Sequence, residues 1–193
     1  MVNKIITMVF VFILAVGITG CLNGDISTAI EKWNKVADKI QEIQLFDEQF
    51  EKTISNDNIL IDAEVAKATP NFEKIFPILD KWQETLTQYR NLLDEESSLI
   101  SDFAGATVNL DGDAKIYGDN ILKNIRDSHK YGTSSIDNLN RGIESLKTCL
   151  KTSDETSCSQ SEQYFKAAES DVAKSEIYTN SANDNLKKLE ALQ

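Results

Sequence analysis

From Ile26 to Leu189, apolar side chains return every three or four residues, and very little interrupts them. The 193-residue chain has only two prolines, Pro70 and Pro77. A three- and four-residue step gathers apolar groups on one face of a helix. Strands need period-two alternation bounded by turn residues, and no stretch has it. The chain is therefore expected to be all-α.

The first helix is expected to start at Asp25 or Ser27, either of which can cap free backbone N–H groups. Its stripe reads Ile26, Ile30, Trp33, Ala37, Ile40, Ile43, Phe46 or Leu45, Phe50 and Ile54. Glu31, Lys32, Lys35, Asp38, Lys39 and Glu42 form the solvated face. Residues 55–58 read as a polar break, and residues 59–68 as a short helix with Ile59, Ala63 and Ala66 inside. Thr69 and Pro70 are a start signal for the second helix, because a proline in the first turn gives up no helical bond. That helix carries Phe72, Phe76, Leu79, Trp82, Leu86, Tyr89, Leu93, Ile100 and Phe103, close to a heptad seam. Pro77 predicts a kink in it, and Gly105 its end. Residues 109–113, Asn-Leu-Asp-Gly-Asp, are the clearest turn.

The third helix is expected over residues 113–150, with Ile116, Ile121 or Leu122, Ile125, His129 or Ser128, Gly132, Ile136, Leu139, Ile143, Leu146 and Leu150 inward. Its middle, residues 128–135, is weakly apolar and contains Gly132, which predicts a loosened or bent segment. Residues 151–157 read as a polar loop. The fourth helix presents Phe165, Ala168, Val172, Ser175, Thr179, Ala182, Leu186 and Leu189, a face of small residues suited to close approach. Four helices of about 30–38 residues would each be about 45–57 Å long. Short connections make neighbours antiparallel, giving an elongated up-down-up-down four-helix bundle over residues 25–193 as a single domain.

Residues 5–21, IITMVFVFILAVGITGC, stand apart from this pattern. Lys4 and the amino terminus give a minimal positive region, and an apolar stretch follows that is broken only by Thr7. Small or apolar residues, Gly17 to Gly20, precede a cysteine, as at a signal-peptide cleavage site. The series Ile18-Thr19-Gly20-Cys21 resembles the lipobox of prokaryotic membrane lipoproteins, with Ile where Leu is commoner. The resemblance covers residues 1–21 only. It implies that residues 1–20 are removed, that the Cys21 thiol receives a diacylglyceryl group, and that residues 21–24 form a lipidated tether. Leu22 is not the Asp that holds such proteins at the inner membrane of many diderm bacteria, which implies the outer membrane in such an organism. In an organism with one membrane the protein faces outward. The alternative is a retained signal anchor: sixteen residues span about 24 Å against a hydrocarbon core of about 30 Å, a mismatch that thinning accommodates.

Lys4 is the single charged residue among the first 20, so the remaining 173 residues carry 19 basic and 31 acidic side chains. Such a surface has no phosphate-neutralising patch, so no nucleic-acid partner is expected. It is also repelled by anionic headgroups, so lipid on Cys21 is the expected membrane contact. With Cys21 consumed, Cys149 and Cys158 remain, and an even pair outside the cytoplasm reads as a disulfide. Eight residues lie between them, a loop whose closure is worth roughly 2–3 kcal/mol in the chain-entropy view.

Catalytic and cofactor signals are missing from the pattern. His129 is the lone histidine. No HExxH, CxxC, GxSxG, P-loop or GxGxxG occurs, so no enzyme activity, metal or cofactor is expected. Counting an EF-hand from Asp111 puts Lys115, Ile116 and Leu122 where the loop wants Asp or Asn, Gly and Glu. The run Asp94-Glu95-Glu96 reads as a solvated face, and Trp33 and Trp82 as core. The leading expectation is a lipid-anchored, non-enzymatic extracytoplasmic interaction or scaffold module whose partner is another extracytoplasmic protein. The alternative is a small-ligand sensing or solute-binding bundle, its interhelical pocket marked by Gly132.

Overall fold

The computed structural model describes residues 24–193. Residues 1–23, and with them the signal segment, Cys21 and its tether, lie outside the described residues. The protein is an all-α, elongated up-down-up-down bundle of four long helices: α1 (Gly24–Val65), α2 (Phe76–Thr107), α3 (Gly112–Thr152) and α4 (Glu155–Glu190). No strand occurs among the described residues, and no helix there is long and apolar enough to cross a membrane.

Cross-helix pairs set the antiparallel order. Trp33 meets Phe103 edge-on at 5.6 Å, Phe46 meets Tyr89 at 5.8 Å, and the Trp82 Nε1–H donates to Asp57 at 2.8 Å. On the next face Arg90 pairs with Asp137 at 2.6 Å, and Lys147 reaches Asp80 and Gln83. The start of α1, the α2–α3 turn and the end of α4 therefore share one end of the bundle. The α1–α2 connection and the Cys149–Cys158 pair share the other. These cysteines stand at disulfide distance with Cα atoms 4.9 Å apart.

Several local expectations are corrected. Residues 55–58 do not break the first helix: α1 is continuous for 42 residues. Its inner phase passes from Ile54 through Asp57 and Ile61 to Glu64. Because these acids find donors, the polar stretch stays helical. Ile59, Ala63 and Ala66 point outward, Ile59 being 67% exposed. Leu45 is also exposed, and the inward position beside it is Asp47; Val36, not Ala37, is fully buried.

The second helix starts at Phe76 and not at Pro70. A 3-10 turn, Phe72–Lys74, precedes it, with Asn71 accepting from the Glu73 N–H at 3.2 Å. Pro77 consequently falls in the first turn of α2, where its missing N–H costs nothing, and the expected kink has no cause. Gly105 does not stop α2, which continues to Thr107. Ile116 is 56% exposed; Ala114 and Gly118 take the inward positions. The loop expected at residues 151–157 shrinks to Ser153, in the left-handed region at φ 54°, and Asp154, whose carboxylate accepts from the Ser157 N–H at 2.9 Å.

The expected loosening at residues 128–135 is likewise absent: α3 runs through them without interruption. This segment lies against α4, and these two helices pack most closely, while α1 meets α4 only sparsely. Small residues make the α3–α4 approach possible. Ser161 Oγ–H donates to the Gly142 carbonyl at 2.9 Å, and a Cβ on Gly142 would sit 2.7 Å from the Phe165 ring. At Gly132 the nearest atom to such a Cβ is Leu93 Cδ1 at 3.7 Å, an ordinary contact.

The two glycines should therefore respond oppositely to alanine. Gly132→Ala gains about 1 kcal/mol of helix propensity and should raise the melting temperature. Gly142→Ala gains the same propensity but overpacks Phe165 at about 1–3 kcal/mol, so a net loss is expected. Thermal unfolding of the two variants beside the parent protein checks the sign of each.

Candidate functional site

The apolar interior is not one core but two. One cluster gathers Phe50, Ile54, Trp82, Leu86, Ile136 and Phe165 towards the end that holds the cysteine pair. The other gathers Ile30, Trp33, Phe103, Ile121, Ile125 and Leu186 towards the end where α1 begins. Both tryptophans are core, as their spacing predicts. Between the clusters lies a polar layer. In it Ser128 Oγ is 2.9 Å from Ser175 Oγ and 2.6 Å from Thr179 Oγ1, while His129 Nδ1 is 3.0 Å from Glu96 Oε2. The weakly apolar middle of α3 is this layer. Its hydroxyls pair across the seam with α4 in place of apolar packing.

Glu96 corrects the reading of residues 94–96 as a solvated run. It occupies the inner position between Leu93 and Ile100 and is 4% exposed, whereas Asp94 and Glu95 face solvent. Glu95 takes an ion pair from Lys39 at 2.6 Å.

Two small cavities lie in this region. The first, about 30 Å³, is lined by Asp47, Phe50 and Glu51 of α1, Tyr89 of α2, Gly132 and Ser135 of α3 and Val172 of α4, among others. The second, about 40 Å³, is bounded by Gln44, Tyr89, Glu96, His129, Gly132 and Ser175. Tyr89 and Gly132 belong to both walls. The absent side chain at position 132, together with the sparse α1–α4 seam, leaves this volume unfilled.

Five carboxylates are buried among the described residues: Asp47, Asp57, Glu64, Glu96 and Asp171. Four have donors. Asp57 takes the Trp82 indole N–H, and Glu64 takes Lys67 and the Asn71 N–H. Glu96 has His129, and Asp171 accepts from Ser134 at 2.6 Å, Asn138 at 3.1 Å and Lys174 at 3.2 Å. Asp47 has no donor from any described residue, although it is only 6% exposed. Burial, together with the neighbouring charges of Glu51 and Glu48, pushes its pKa up to about 7. Burial also raises Glu51, and the Glu51 Oε1 and Gln44 Nε2 atoms are buried without partners. Tyr89, enclosed beside Asp47 and Glu96, is raised well above the usual phenol range, chiefly by burial.

Sequence reasoning singled out Gly132, and both cavities touch it. It missed Asp47, which lies on the inner phase of α1 between Ile43 and Phe50; an acid at a heptad core position was the available signal. Asp111, Asp113, Asp119 and Asn120 form no metal cage: all are exposed, and Lys115 bonds Asp119 at 2.8 Å. No group of three or more His, Cys, Asp or Glu that could hold a metal occurs among the described residues. No family model, curated protein or solved structure matches the chain.

Asp47 makes stability depend on pH with a definite sign. Its folded pKa lies above the ordinary 3.8, so the native state holds the proton that the unfolded chain has released. Stability should fall as pH rises from about 4 to about 7, by at most about 4 kcal/mol. Asp47→Asn should flatten this slope and be the more stable protein at pH 8. Urea unfolding across that pH range compares the two; equal slopes would remove the assignment.

Proposed function

We propose that this chain is a lipid-anchored, extracytoplasmic, non-enzymatic helical bundle that receives a small ligand between its helices. One observation carries the ligand reading: a buried carboxylate, Asp47, faces a cavity without a donor, while every other buried carboxylate has one. An inert spacer gains nothing from such a group, because an unsatisfied buried acid is destabilising. The sparse α1–α4 seam supplies the route by which a guest would enter. Support for the anchor comes from the lipobox resemblance at Cys21. Residue Cys21 immediately precedes the end of the bundle where α1 starts, so the α2–α3 turn would face the membrane. The cysteine pair would then stand on the order of 60 Å away, from 1.5 Å per helical residue.

A second reading, docking of another extracytoplasmic protein at that distal end, is favoured by Ile59, Leu60 and Val65, which are exposed near it. The disulfide proposed at Cys149 and Cys158 would hold the α3–α4 corner of the same end.

Two measurements test these proposals. The intact mass of membrane-extracted protein should show Cys21 as the first residue, carrying acyl chains, and Cys21→Ala should lose them. A full-length mass would make residues 5–20 an anchor instead. For the cavity, Gly132→Leu adds a side chain at a wall position common to both spaces. Small guests spanning cationic, neutral and anionic types should raise the melting temperature of the parent protein and not of this variant. If none shifts the parent, the ligand reading fails and distal docking stands in its place.

A further inference from the structure

We propose that the cavity at Asp47 is a binding site for a small primary alkylammonium ion. This rests on the reading of the cavity as a ligand site and adds the class of the guest. The oxygen atoms there lack donors. Asp47, 6% exposed, accepts no hydrogen bond from a described residue; Glu51 Oε1 is buried without a partner, and so is the Gln44 Nε2 donor one turn before Asp47. No lysine, arginine or histidine reaches Asp47 or Glu51. A primary ammonium carries one positive charge and three N–H donors, which suits the Asp47 and Glu51 carboxylates and their excess of negative charge.

The rest of the wall suits the carbon chain of such an ion. Phe50, Ile54, Leu86, Ile136, Leu139 and Val172 line it. Phe50 and Tyr89 put two aromatic rings in the wall, and a cation is attracted to an aromatic ring more strongly where water is excluded. A divalent metal fits poorly, since calcium and magnesium want six or more oxygen ligands. An anion is excluded by the same carboxylates. The volume of about 30 Å³ admits only a few heavy atoms, and a second space of about 40 Å³ shares Tyr89 and Gly132 as wall residues.

The ion pair requires Asp47 ionised, so binding should strengthen as pH rises through about 7. The groups facing Asp47 are Glu48 and Glu51 from α1 and Tyr89 from α2. The parts of the wall contributed by α3 and α4 carry no titratable side chain. Around the adjoining space stand His129 of α3 and Glu96 of α2, 3.0 Å apart.

Calorimetric titration of residues 21–193, with n-propylammonium, n-propanol and propionate as probes of one size, tests the assignment. Propylammonium should bind saturably, more tightly at pH 8 than at pH 6, while the alcohol and the acid anion should bind at least roughly tenfold more weakly. Asp47→Asn should lose propylammonium affinity by roughly tenfold or more while keeping its helical circular dichroism. Glu51→Gln, a milder change at the cavity rim, should lose less. If propanol binds as tightly as propylammonium, or Asp47→Asn binds unchanged, the cation assignment falls and the cavity remains a neutral pocket. If no probe binds, the cavity holds water alone and both readings fall together.

Discussion

The close approach of α3 and α4 governs the rest of the bundle. Gly142 lets the Phe165 ring lie against the helix backbone, and Ser128, Ser175 and Thr179 bring two helices together through hydroxyl contacts shorter than apolar side chains would allow. Four helices around a common axis cannot all pack at that spacing when the other two carry Trp, Phe and Leu inward. The excess appears beside the tight seam, between α1 and α4, and Gly132 leaves it unfilled from the α3 side. Cavities at mid-height follow from this mismatch of side-chain size.

Acids on the inner phase are the second consequence. A heptad seam places whatever occupies its inner positions away from water, charged or not. At Asp57, Glu64, Glu96 and Asp171 the surrounding helices supply an indole N–H, a backbone N–H, a histidine and an amide with hydroxyl and ammonium groups. These bonds offset desolvation and tie neighbouring helices in register. Asp47 faces the wide side of the bundle, where the opposing wall is Gly132, Ser135 and Val172. Nothing there reaches across, so its charge is opposed by burial and by its own helix neighbours Glu48 and Glu51. The site and the packing asymmetry have one cause.

Much of the bundle was legible in the residue pattern, because helical periodicity is a local property. The inward face of α4 from Phe165 to Leu189 was readable except at Asp171, an acid that the apolar stripe passes over. So was most of α2, and the turn at Gly112, whose φ of +48° suits glycine. The pattern misled where polarity was taken for loop. Residues 55–58 and 151–157 are polar, yet the first stretch keeps the inner phase through Asp57, and the second is mostly helix on either side of a two-residue corner. Pro77 suggested a kink only because the start of α2 was placed too early by six residues.

What the sequence determined by itself is the class and direction of the fold: long helices, short connections, antiparallel order and a cysteine pair at one end. These depend on spacing along one chain. Only the tertiary structure decided that Glu96 is buried and partnered while Asp47 is buried and not. An acid on a helix is satisfied or stranded according to the side chain facing it from another helix. That partner is set by how closely the helices pack, which no single periodic stripe encodes.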